Sequence, residues 1–161
     1  MCIRDRVVAP CLGHLDYLII NDFEVAALSQ RPIRHGEDAD LRDCLANAKD
    51  VFDRSSVELL VVHFPRGAIA MQRGADPLVI PSVAVPKEAI AGSNGAGDAF
   101  ASGILYGIHQ GWRLRDALQL AHSAAAASMR HIGTTDSIER WQDCLALAKV
   151  YGSRAELEFP T

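Results

Sequence analysis

Gly92-Ser93-Asn94-Gly95-Ala96-Gly97-Asp98-Ala99-Phe100, running on through Ile104, Leu105 and Ile108 to Gly111, decides how the rest of the chain is read. Three glycines within six positions free the backbone for a tight loop with positive φ. The apolar-periodic run behind them predicts a helix from about Ala99 to Gln110. Unpaired N–H groups at such a helix start, aided by the macrodipole, make a cradle for a phosphate or a developing anion. Two related motifs are excluded. The second glycine of a dinucleotide fingerprint is replaced by Asn94, and the lysine and hydroxyl residue that close a P-loop are replaced by Asp98 and Ala99.

Asp98 carries the chemical argument. A carboxylate set against a polyphosphate is repulsive, so it helps only toward the other reactant, by accepting a proton from an attacking hydroxyl. An anion cradle with an adjacent base reads as phosphoryl transfer to an alcohol. On spacing alone, the competing reading is a helix N-cap worth about 1 kcal/mol.

The stretch resembles the ribokinase-like (PfkB) carbohydrate kinase family, whose D-T-x-G-A-G-D signature corresponds to Gly92 through Asp98 with G-A-G-D intact. The resemblance implies that Asp98 is the catalytic base and that the amides of Gly95, Ala96 and Gly97 form the anion hole, with Asn94 on the nucleotide side. It also implies ATP and Mg²⁺ as cofactors and a sugar or nucleoside as the small-molecule substrate. Gly92-Ser93 replaces the opening Asp-Thr, and with it the aspartate that helps build the family's monovalent-cation site.

A second motif supports the first. Asp16 to Ile20 is a short apolar run that reads as a buried strand, and Asn21-Asp22-Phe23-Glu24 after it matches the family's N-x-x-E. In the family the asparagine lies near the nucleotide phosphates and the glutamate acts on Mg²⁺ through water, so the resemblance assigns Asn21 to the nucleotide and Glu24 to the metal. An amide and a carboxylate at a strand's carboxyl edge suit a hydrated Mg²⁺, which takes few direct carboxylates. Without the downstream motif, the same residues read as an N-cap with a first-turn acid.

The remaining elements follow from periodicity. Val7 to His14 is a helix tail or a loop, and Arg31 to Gly36 is a loop. Glu37 to Phe52 reads as an amphipathic helix with Leu41, Leu45, Ala48 and Phe52 inward. Val57 to Val62, Ala68 to Met71 and Leu78 to Ile80 are strands, the first two joined by the tight link Phe64-Pro65-Arg66-Gly67. In the resembling kinases that link touches the nucleotide, and of its pattern only Gly67 is kept. Pro81 to Ala91 is an extended approach to the central loop. Ala99, Gly103 and Gly107 form one stripe, predicting close packing against the small-residue face of a helix from Leu114 to about Arg130. The resemblance places His122 of that helix beside the adenine, while the residue alone reads equally as a buried structural histidine. His131 to Thr135 is a loop, and Ser137 to Val150 a closing helix with Ile138, Trp141, Leu145 and Ala148 inward.

Composition narrows the partners. With 161 residues, 49% hydrophobic, the chain has the length of a single domain. A net charge of −4 without a basic run argues against nucleic acid and anionic membrane. No apolar run approaches the ~20 residues of a membrane span, and a cytoplasmic setting is expected. Cys2, Cys11, Cys44 and Cys144 form no C-x-x-C pair, so neither a zinc site nor a disulfide framework is suggested.

Strands alternating with helices imply a layered α/β fold. The resemblance makes it a ribokinase-like three-layer αβα domain over residues 1–161, with a mainly parallel sheet and its N-terminal half missing. Nothing in residues 1–91 matches the half that supplies the acceptor site in the family, so the chain as given is expected to be an inactive fragment. Its open sheet edge predicts self-association, a homodimer being one form of it. Two other functions stay open, a non-catalytic nucleotide-binding module and a nucleotide-independent interaction domain. Retention of Asp98 favours the enzyme, because nucleotide binding alone gains nothing from an acid beside the phosphates.

Overall fold

A computed structural model describes residues 7–34, 39–134 and 139–157. The chain divides into two compact units, Val79 closing the first and Ile80 opening the second.

The first unit is built on strands β1 (Tyr17–Asn21), β2 (Leu59–Phe64) and β3 (Gly67–Gln72), and β4 (Leu78–Pro81), on which the boundary between the units falls, follows them in the spatial order of the sheet. Two short helical turns, α1 (Ala9–Cys11) and a 3-10 turn at Leu12–His14, precede them. The connection from β1 to β2 holds two helices, α2 (Asp22–Ser29) and α3 (Leu41–Arg54). It is long enough for a crossover, and the two strands run parallel, Tyr17 opposite Leu59 through Asn21 opposite His63. Between β2 and β3 only Pro65 and Arg66 intervene, so the chain must double back. These strands are antiparallel, with Phe64 opposite Gly67. The sheet is therefore mixed, with a parallel β1–β2 pair and an antiparallel β2–β3 pair. Leu60, Val61, Val62, Ala68 and Ile69 are fully buried, and α2 and α3 pack on each other and on the sheet.

The helix expected from Glu37 starts instead at Leu41, because Asp40 caps it: Oδ1 accepts from the N–H groups of Arg42 (2.9 Å) and Asp43 (3.1 Å). Residues 37 and 38 lie outside the described residues. Its inward face is also rotated from the expected one. Cys44, Asn47, Ala48 and Val51 are buried while Leu41, Leu45 and Phe52 are half-buried, since the apolar arc spans more than one stripe. Asn47 is tolerated there because its Nδ2 donates to the Arg31 carbonyl at 3.2 Å. At the other end, the Arg73 guanidinium donates to the carbonyls of Phe52 and Ser55, both at 2.7 Å, and lies 3.9 Å over the Phe52 ring. It thereby serves the Ser55 carbonyl at the helix end and adds a donor to that of Phe52, which already accepts from the Ser55 N–H and Oγ.

The second unit holds α4 (Ala96–His109), α5 (Leu114–Ser128) and α6 (Trp141–Tyr151). Its approach segment is less uniformly extended than expected, with one 3-10 turn at Lys87–Ala89 after Pro86. The tail after α6 pairs antiparallel with it. Val83 faces Ser153, Ala84 N–H donates to Gly152 O at 2.9 Å and Arg154 N–H to Ser82 O at 2.8 Å. The closing helix starts at Trp141 rather than Ser137, and residues 137 and 138 fall outside the described residues. Cys144 is its buried residue, flanked by the half-buried Trp141, Leu145 and Ala148.

The expected α4–α5 contact is present. A Cβ on Gly103 would lie 2.6 Å from Ala121 Cα, and one on Gly107 would lie 2.5 Å from Ala117 Cβ. The backbones touch because neither glycine has a side chain. Gly111, at φ 68°, ends α4 in a Schellman arrangement, with Gly111 N–H donating to Ile108 O (3.0 Å) and Trp112 N–H to Gly107 O (2.9 Å). Among the described residues no helix is long and apolar enough to cross a membrane.

Two outcomes follow from these contacts. Gly103→Ala gains about 1 kcal/mol of helix propensity but drives a methyl into the backbone of Ala121, an overpacking cost of about 1–3 kcal/mol. The urea midpoint should fall, and a rise would show that the two helices are not held this closely. His63, half-buried in β2, has its pKa pushed below the ordinary 6.5 by desolvation, against a smaller upward pull from Glu24 and Asp22. The unfolded chain then binds the proton more readily, so this contribution is intact above about pH 6.5 and is lost as pH falls below it. Between pH 7 and 5.5 the stability should drop, and less so in His63→Asn. An equal slope in both proteins would remove His63 as the source.

Candidate active site

Helix α4 begins three residues earlier than its sequence pattern suggested. Gly95 is its N-cap, at φ 78° and ψ −4°, with no side-chain cap bond. Glycine is required there on two grounds, the left-handed backbone and the space. A Cβ would stand 3.0 Å from Thr134 O and 3.1 Å from Thr134 Cα. Asp98 is consequently the third residue of the first turn and not the cap, which removes the capping explanation for it. Its side chain is exposed, and among the described residues no hydrogen bond or ion pair engages it.

The amides of the turn divide into two kinds. Ala96 N–H donates to Ser93 O at 3.2 Å, and Ala99 N–H to Gly95 O at 2.9 Å. Gly97 and Asp98 N–H find no acceptor among the described residues. They point out of the helix start, where the macrodipole adds a partial positive charge. The anion hole that the resemblance implies, Gly95, Ala96 and Gly97, does not include the amide of Asp98, which is open here, and includes that of Ala96, which is bonded to Ser93 O. Asn94 is exposed at the tip of the loop. Behind the loop, Met129 O accepts from the N–H groups of Ala91 (2.9 Å) and Gly92 (3.3 Å).

Asp98, Ser102 and Tyr106, at i, i+4 and i+8 of α4, line one wall of a cleft of about 530 Å³. Leu120 and Ala124 of α5 and Trp141 of α6 also line it. Tyr106, Trp112 and Trp141 form a ring cluster with centroid separations of 5.1–6.4 Å. The i+4 repeat starting at Asp98 was the available sequence signal for Ser102 and Tyr106. His122 is not among the cleft residues. It is buried in α5, with its ring edge-on to Phe100 at 4.9 Å.

In the first unit, Asn21 and Glu24 bond reciprocally. Asn21 Oδ1 accepts from Glu24 N–H at 2.9 Å, and Glu24 Oε2 accepts from Asn21 N–H at 2.8 Å. This is a capping box, which fixes both side chains at the carboxyl end of β1. It leaves Glu24 Oε1 and Asn21 Nδ2 without a protein hydrogen bond among the described residues. No group of three or more His, Cys, Asp or Glu that could hold a metal occurs there, so a dedicated protein cage is absent among those residues. A single exposed carboxylate with one oxygen open fits a hydrated Mg²⁺ that takes its other ligands from phosphate. Gly67 is buried at the start of β3, paired with Phe64 and without positive φ. Because β1 and β2 are parallel, that hairpin turn lies at the same edge of the sheet as Asn21.

Known proteins similar to this chain in sequence or fold point in one direction. Adenosine kinase 1 of Arabidopsis thaliana is 27% identical over 134 residues, covering 78% of this chain and 36% of that protein. The chain therefore spans about a third of the length of this relative. Among solved structures, Arabidopsis thaliana ribokinase complexed with ribose and ATP superposes with a TM-score of 0.76 at 19% identity, over 88% of this chain and 43% of that one. The Burkholderia thailandensis nucleoside kinase in complex with inosine gives 0.68 at 22% identity, over 88% and 42%. These structures establish a ribokinase-like α/β fold. The model of the pfkB family carbohydrate kinases matches residues 4–141, and the chain belongs to that family.

Proposed function

We propose that the chain supplies the nucleotide-binding and base-bearing part of a kinase that transfers the γ-phosphoryl group of ATP to a hydroxymethyl group of a sugar or nucleoside. The observation that carries this reading is the free carboxylate of Asp98 on the same helical turn as the two amides, Gly97 and Asp98, that have no acceptor among the described residues. In this reading the amides stabilise charge on the transferring group, and Asp98 takes the proton of the attacking hydroxyl. Mg²⁺, when bound with ATP, would neutralise charge on the phosphates, and Glu24 would orient one of its waters, with Asn21 alongside. Asn94, Gly67 and His122 are proposed nucleotide neighbours, His122 on the adenine side with its ring packed on Phe100.

The acceptor class stays at sugar or nucleoside. An adenosine kinase relative and a ribose-bound structural neighbour support the two halves of that description. Because the chain spans 36% of the relative's length, we place the residues that choose the acceptor in the remainder of such a kinase. The 161 residues alone should then bind MgATP without transferring phosphate. Robust transfer to any of a panel of sugars and nucleosides by this chain would overturn that division. The competing non-catalytic nucleotide-binding module predicts binding that is indifferent to Asp98 and no transfer in any context.

In a kinase containing the whole acceptor site, Asp98→Asn should lower kcat by about 10²–10⁴-fold with nucleotide affinity nearly unchanged, since the shape stays and the base is lost. Near-normal turnover would falsify the assignment of Asp98. Glu24→Gln should raise the Mg²⁺ concentration needed for half-maximal ATP binding, while leaving the capping box's second half, Asn21 Oδ1 to Glu24 N–H, in place. An unmoved Mg²⁺ titration would reduce Glu24 to a helix-start acid.

A further inference from the structure

Arg130 follows the C-cap of α5, and Glu139 stands just ahead of Arg140, the N-cap of α6. Their side chains form an ion pair between Arg130 Nη2 and Glu139 Oε1. Lys49–Asp53, Arg54–Asp50 and Arg113–Asp116 are short-range pairs on or beside single helices, with cationic side chains 51–87% exposed. The Arg130–Glu139 pair instead ties the end of one helix to the start of the next, and its two side chains are only 31% and 26% exposed. Arg130 Nε is buried with no hydrogen-bond partner, so the carboxylate of Glu139 is the main compensation for that guanidinium among the described residues.

What the pair closes is the backing of the anion cradle. Met129, next to Arg130, accepts both loop amides, from Ala91 and Gly92. His131 O lies 3.5 Å from the position of a Cβ on Gly92, and Thr134 O lies 3.0 Å from that on Gly95. The stretch from Met129 to Thr134 thus touches the loop on both sides of Asn94. If that stretch shifts, the left-handed turn at Gly95 loses its support, and the amides of Gly97 and Asp98 lose their aim.

Resting on the kinase reading above, we infer that Arg130 and Glu139 are positioning residues for the phosphate cradle, acting through residues 129–134; Glu139 also lines the cleft that holds Asp98, and Arg130 engages its carboxylate. The charge of Arg130 is taken up by Glu139 and is not offered to phosphate. The two roles differ in the sign of one effect. A positioning pair loses affinity whichever partner is neutralised, whereas a phosphate-binding arginine would bind more tightly once its competitor Glu139 is gone.

The test is MgATP affinity by titration calorimetry for the wild-type chain, Arg130→Met, Glu139→Gln and the exchanged pair R130E/E139R, with folding checked by circular dichroism. Both single variants should weaken binding at least fivefold, and the exchange should recover most of the loss. Arg130→Lys and Glu139→Asp, which keep both charges, should lose less than the neutral variants and keep the comparison available if those do not fold. Unchanged or tighter binding in Glu139→Gln, or affinity equal to wild type throughout, overturns the inference while leaving the kinase reading intact. Absence of MgATP binding in the wild-type chain overturns both.

Discussion

The approach of Thr134 to the backbone of Gly95 is the constraint on which the candidate site depends. A side chain at residue 95 would have to share space with Thr134 while holding a left-handed backbone, and only glycine meets both demands. With that turn in place, α4 begins at Ala96, and the next two amides are left without acceptors among the described residues. The carboxylate of Asp98 comes with them on the same turn. Cradle and base are thus products of one backbone event, not of separate side-chain placements.

Precision at the helix start needs a rigid helix behind it. Gly103 and Gly107 weaken α4 intrinsically, yet they let it lie against Ala121 and Ala117 at backbone distance, and Phe100 and Ile104 are buried on the neighbouring arc. Close packing offsets the poor propensity. The Schellman turn at Gly111 then sends the chain directly into α5, whose C-terminal neighbour Met129 returns to hold Ala91 and Gly92. The end of the α4–α5 hairpin thereby supports its own beginning.

Features governed by local backbone chemistry were legible in the sequence. The glycine-rich turn, the α4–α5 small-residue contact, the N-cap role of Asn21 and the tight β2–β3 link all follow from residue types at fixed short spacing. Element starts were less legible. Ala96 and Gly97 read as loop because glycine is a poor helix former, and nothing in the pattern shows that Gly95 adopts the cap. Asp40 was passed over because the charged run from Glu37 looked continuous. The cleft partners Tyr106 and Trp141, and the Arg130–Glu139 pair, come from segments that periodicity treats separately. His122 shows the limit of position matching, since the sequence places it on α5 but does not show that its ring lies edge-on to Phe100.

The central claim is that the first turn of α4 receives phosphate. Backbone amide resonances of the ¹⁵N-labelled chain, followed as MgATP is added, test it most directly. The account predicts that the largest shifts fall on Gly97 and Asp98, with smaller ones at Gly95. Saturable nucleotide binding that leaves Gly97 and Asp98 unmoved would contradict it.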